Sequence, residues 1–158
     1  MTRVDFHFNT ADKLGYACRL LRKAYRSKAR VWVCCRNEQQ RKHLDQLLWT
    51  FSALEFIPHV DADHPLAART PIVLADSLAG SEDWQVALHL GHALPPGFSS
   101  FERWIEIVGT DEEDRLHART RWAHFREHGY PIQRFDQQEA ADEMAARPGP
   151  TTAPAALA

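Results

Sequence analysis

Apolar runs alternate with amphipathic helical runs through the first 60 residues, and this alternation limits the chain to one class of fold. Val4, Phe6 and Phe8 alternate with Asp5 and His7, which predicts a strand over Arg3–Phe8. Leu14, Ala17, Cys18, Leu21 and Tyr25 then recur at helical spacing, after Asn9 or Thr10 as the expected cap. Val31 to Cys35 is a continuous apolar run, the pattern of a strand buried on both faces. Asn37 caps a second helix running to about Phe51, with Leu44, Leu47, Leu48 and Phe51 on one face. A short strand is expected around Phe56-Ile57-Pro58-His59. Strand–helix–strand–helix–strand order implies parallel pairing through right-handed crossovers. The fold class is therefore α/β: a Rossmann-like, mostly parallel sheet flanked by helices.

The second half continues the theme. Pro71–Asp76 and Gln85–Leu90 are apolar runs, Ala93–Ser100 is a loop broken by Pro95-Pro96-Gly97, and Glu102–Val108 reads as a strand. Asp76 is read as the cap of a following turn. Thr110 with Glu113 forms a capping box for a helix that Gly129 ends, and Tyr130–Phe135 suits a last edge strand. Residues 1–138 are thus one α/β domain. From Glu139 the composition turns to Ala, Pro, Gly and Thr, and 139–158 is expected to be a mobile tail.

A net charge of −2 gives no global field favouring nucleic acid. The N-terminus has no signal-peptide pattern and no run reaches membrane length, so a cytoplasmic location is expected. Cys18, Cys34 and Cys35 read as small buried hydrophobes in a reducing compartment. The first strand-to-helix turn, Asn9 to Lys13, lacks the glycines that let a backbone wrap a phosphate, so no nucleotide cofactor is expected. Nine histidines are present, but none falls into zinc spacing with cysteine, and no Glu stands between His89 and His92. No metal site and no catalytic set follow.

Two features remain. Trp49 lies off the apolar face of its helix, as an interface anchor or the cover of a neighbouring loop. Further on, Arg115, Arg119, Trp122 and Arg126 fall in a stripe roughly 60° wide at about 100° per residue, and Arg134 follows. Leu116, Thr120 and Ala123 form the adjacent face, able to pack on the sheet. Arginines with an aromatic among them suit an acidic peptide with an apolar end, or single-stranded nucleic acid.

The opening VDFHFN, the L-D-x-L-L-W helix end, F-I-P-H after that Trp, and A-R-x-R-W-x-x-[FY]-R-x-x-G-[FY] at Ala118–Tyr130 recur together. In these motifs, over about residues 1–136, the chain resembles the chi subunit of bacterial DNA polymerase III. The resemblance implies a Rossmann-like domain without a nucleotide site, acting as a non-catalytic adaptor. It implies two partners: the psi subunit of the clamp loader, and the acidic C-terminal tail of single-stranded DNA-binding protein (SSB). The psi-facing residues would be Trp49, Phe51, Phe56, Pro58 and His59. The tail site would draw on Val108, Arg115, Arg119, Trp122, Gly129, Tyr130 and Ile132, with Arg126 or Arg134 substituting for a lysine that the family often carries where this chain has Ala123. Trp122 stands where a tyrosine is usual. The readings from other classes are a Rossmann-like enzyme and a direct single-stranded DNA binder.

Overall fold

In the computed structural model, which describes residues 1–146, the chain runs β1 (Arg3–Thr10), α1 (Lys13–Arg26), β2 (Val31–Cys34), α2 (Glu38–Thr50), β3 (His59–Asp61), β4 (Ile72–Ala75), β5 (Val86–His89), β6 (Arg103–Gly109), α3 (Glu112–Glu127), β7 (Ile132–Asp136) and α4 (Gln137–Ala146). The strands form one sheet in the order β3-β4-β2-β5-β6-β1-β7, and every pairing is parallel. Helices α1 and α2 cover one face through Ala17, Cys18, Leu21, Leu44 and Leu48, packed on Val31, Val33, Ile72, Leu74, Leu88 and Ile105. Helix α3 covers the other through Ala118 and Phe125, beside Trp84, Phe98 and Phe101 from the loops.

Because α1 leaves β1 toward one face and α3 leaves neighbouring β6 toward the other, the strand ends diverge there, the position at which open α/β sheets bind ligands. Carboxylates and a lysine fill it. Lys13 Nζ lies 3.0 Å from Asp114 Oδ2, and the Gly109 N–H donates to the same oxygen at 2.7 Å. The Asp12 side chain caps α1 by accepting from Gly15 N–H, and Asp111 caps α3 by accepting from Asp114 N–H. Gly15 lets the cap sit this close: a Cβ there would fall 2.1 Å from Asp12 Oδ2 and push the carboxylate aside. Both helix N-termini are therefore already matched to the protein's own negative charge.

Several local expectations shift. The cap of α1 is Asp12, not Asn9 or Thr10, because β1 continues to Thr10. The cap of α3 is Asp111, one residue beyond Thr110, since a carboxylate is the stronger acceptor at the dipole end. Among the described residues Asp76 accepts from no turn N–H; it accepts from Arg41 Nε at 2.9 Å, and Arg41 also reaches Asp61. The third strand begins only at His59.

The inner face of α3 is Asp114, Ala118, Arg121 and Phe125, whereas Leu116, Thr120 and Ala123 are exposed. Periodicity of apolar residues does not show this face, because an arginine and an aspartate are part of it. Arg121 is 2% exposed; its Nε donates to Glu106 Oε2 at 3.1 Å and its Nη1 to the His92 carbonyl at 2.6 Å. Glu106, fully buried, also binds His89 Nδ1 at 2.8 Å and accepts from Trp104 Nε1 at 3.0 Å. Burial alone would push the Glu106 carboxyl up, but His89 and Arg121 hold it down, to about 2.

The stretch expected to be mobile from Glu139 is helical as far as Ala146. Gln, Ala, Glu and Met are good helix formers, and the Asp136 carboxylate accepts from the Gln138 and Glu139 N–H groups at its start. The rest of that expected tail, 147–158, lies outside the described residues.

Candidate functional site

A groove of about 450 Å³ opens between α3 and the end of β1, lined by Phe6, Phe8, Asn9, Val108, Gly109, Arg115, Ala118, Arg119, Trp122 and Arg134. Its floor is apolar. Trp122 stands edge-on to Phe6, with ring centres 5.2 Å apart. Its rim is cationic. Arg115 Nη2 donates to Asn9 Oδ1 at 3.3 Å, and Arg134 sits over the Phe8 ring at 5.1 Å. Arg119 is 66% exposed in its side chain, and its one salt-bridge carboxylate among the described residues is Glu112, 3.6 Å away. At the groove β1 is irregular, its register against β6 shifting between His7 and Thr10. Asn9 there has φ +57, a left-handed conformation that Asn tolerates better than most residues. Its amide donates to Asp136, tying the bend to β7.

A second surface lies at the other edge of the sheet. Trp49, Leu54 and Phe56 are 55%, 99% and 60% exposed. Trp49 packs on Phe56 with ring centres 5.3 Å apart and on His59 at 4.9 Å. His59 is itself buried, its Nδ1–H donating to the Ile57 carbonyl at 2.7 Å and its Nε2 3.1 Å from Asp45. It thus supports the Trp49 ring from beneath.

The cysteines are all buried, and burial pushes Cys34 and Cys35 up to about 12 and Cys18 up to about 11, so each holds its proton at neutral pH.

The family model for "DNA polymerase III chi subunit, HolC" matches residues 1–133. The chain belongs to the DNA polymerase III chi subunit family. It is 38% identical over 138 residues to the DNA polymerase III subunit chi of Pseudomonas aeruginosa, covering 84% of this chain and 95% of that one. It is 29% identical over 119 residues to that of Haemophilus influenzae (73% and 81%), and 25% identical over 116 residues to that of Escherichia coli (73% and 79%).

In this chi-family chain, the groove unites Val108, Arg115, Arg119, Trp122 and Arg134 from the tail-site set. Arg126 continues the α3 stripe one turn further and is exposed. Gly129, Tyr130 and Ile132 lie outside the groove lining. Gly129 ends α3 at φ +72, Tyr130 packs on Phe98 and Phe125, and Ile132 pairs with Val4. On the second surface, Trp49 and Phe56 are joined by half-buried Pro58, while Phe51 turns to the core side under the Arg22 guanidinium, 4.8 Å from its ring. Sequence reasoning missed Phe6, Phe8, Asn9 and Gly109 in the groove and Leu54 on the outer surface. The alternation in β1 already put Phe6 and Phe8 on one face; which helix covers that face was not written in the pattern.

No metal set was visible in the residue spacing, yet the fold brings His92, Glu113 and His117 together, with one ligand atom from each within 4.8 Å of the others. Among the described residues no helix is long and apolar enough to cross a membrane.

Proposed function

We propose that this chain is a non-catalytic adaptor of the replicative polymerase assembly, with two separate protein-binding surfaces. The groove takes the acidic, aromatic-ended C-terminal tail of SSB. The Trp49–Phe56 ledge takes the psi subunit. The observation that carries the reading is the groove itself, in which an apolar floor of Phe6, Val108 and Trp122 meets a rim of Arg115, Arg119 and Arg134. An aromatic end fits the floor, and a carboxylate fits the planar guanidinium fork. The ledge has the opposite character, an exposed aromatic pair with no arginine or lysine stacked on it among the described residues, which suits burial against an apolar partner.

Placement supports the division of labour. The ledge sits by β3, and the groove by β1, five strands further along the sheet. At about 4.8 Å per strand this is about 24 Å, and α2 and α3 lie on opposite faces as well. Both partners can therefore be held at once. Asp12, Asp111 and Asp114 at the strand ends repel a nucleotide phosphate where a Rossmann-like enzyme would hold one.

Pulldown of the full chain with intact SSB and with SSB lacking its tail tests the groove. Capture by the intact protein alone is expected. Equal capture of both overturns the assignment. Binding to naked single-stranded DNA at physiological salt would favour the direct-binder reading instead.

A further inference from the structure

Beside the groove, on the other flank of α3, three ligand-bearing side chains converge from two elements. Glu113 and His117 stand one helical turn apart on α3, and His92 comes from the loop after β5. Imidazole and carboxylate together suit zinc and its neighbours in the transition series, and an i, i+4 pair on one helix face is a recurrent way to hold two ligands.

The orientation of His92 adds a second, independent observation. Its Nε2 faces the buried carboxylate of Asp114 at 3.5 Å, while its Nδ1 faces Glu113 at 3.9 Å. Asp114 is fixed in turn by Lys13 and by the Gly109 N–H. With its proton on Nε2, toward Asp114, the ring would keep the Nδ1 lone pair for a metal, the outer-shell arrangement that orients metal-bound histidines. His117 lies against His92 with ring centres 4.2 Å apart and planes 13° from parallel. We propose that His92, Glu113 and His117 form a binding site for a divalent transition-metal ion of the zinc type.

Ligand atoms on a tetrahedral zinc lie about 3.4 Å apart. An ion lies in the plane of each imidazole that binds it, so the His92–His117 stack must open for both rings to reach it, a rotation open to His117 and Glu113, which are both exposed. Water fills the fourth position on the open side. Arg36 is the competing cation, with Nη2 3.7 Å from the same Glu113 oxygen. A bound ion would pin the first turns of α3 to the β5 loop, on the flank opposite Arg115 and Arg119.

Calorimetric titration of zinc chloride into the chelator-treated full chain tests this. One saturable equivalent is expected. His117→Ala and Glu113→Gln should each weaken it at least tenfold, with unchanged circular dichroism because both side chains are exposed. His128→Ala, which disrupts the separate stacked pair His124–His128, should leave the affinity as it was. No saturable uptake, wild-type affinity in both His117→Ala and Glu113→Gln, loss of binding in His128→Ala, or equally tight magnesium uptake would overturn the site.

Discussion

The groove and the ledge offer a partner opposite chemistry. The groove is concave and cationic, and is assembled from β1, β6, α3 and β7. The ledge is formed by aromatic rings between Trp49 and His59, within one short stretch of chain. A charged groove steers a partner and weakens with salt; an aromatic ledge works by desolvation and is indifferent to salt. A single small domain can thus carry two contacts that respond to different conditions.

The sharpest test of this contrast is mechanical. The groove depends on α3 being held from behind by Arg121 and Glu106. Arg121→Ala takes the guanidinium from the buried Glu106 carboxylate, leaving it only His89 and Trp104, and strips the His92 carbonyl of its donor; it should cost about 3 kcal/mol of folding stability, read from the urea midpoint. An unchanged midpoint would mean that something else anchors α3. Acid should find the same weakness. The Glu106 carboxyl is depressed from 4.5 to about 2, so its contribution is present above pH 4.5 and is lost as pH falls toward 2.

Next in size is Trp49→Ala, expected to remove about 2–4 kcal/mol from psi association, the range of an interface anchor, with tail-peptide affinity untouched. If both activities fall while circular dichroism is preserved, the surfaces are not independent. Arg119→Ala should weaken tail-peptide binding by about 1.5–3 kcal/mol, measured by calorimetry, and should flatten its salt dependence. Unaltered affinity there would remove Arg119 from the site. The smallest effect belongs to Glu112, which faces Arg119 across 3.6 Å of exposed surface. Glu112→Gln should tighten tail binding by up to about 1 kcal/mol by freeing the guanidinium; weaker binding would show that Glu112 positions Arg119 rather than competing for it.

The parallel sheet was legible because Val31–Cys35 and Pro71–Ala75 are unbroken apolar runs, the pattern of strands covered on both faces. The Arg stripe of α3 was legible because Arg115, Arg119 and Trp122 repeat at helical spacing and do line one groove. The inner face of the same helix was not. Its anchor is an arginine, and burial of a charge depends on a partner 15 residues away on β6, which periodicity cannot see. The His92–Glu113–His117 convergence was invisible for a related reason, since it joins a loop to a helix across an intervening strand.

The first strand has a further consequence, in the order in which the parts come into being. Arg3 pairs with Arg103 on one side, and Val4 with Ile132 on the other. A chain emerging from the ribosome therefore holds its opening strand without neighbours until nearly all of the domain has been made. Such long-range closure is the slow part of folding. The stretch that carries the ledge is tied to α1, α2 and β4, all within the first half of the chain, and can take shape early. A chain cut short before β7 would be expected to keep its aromatic surface and lose its groove, leaving a protein able to occupy one partner and unable to reach the other.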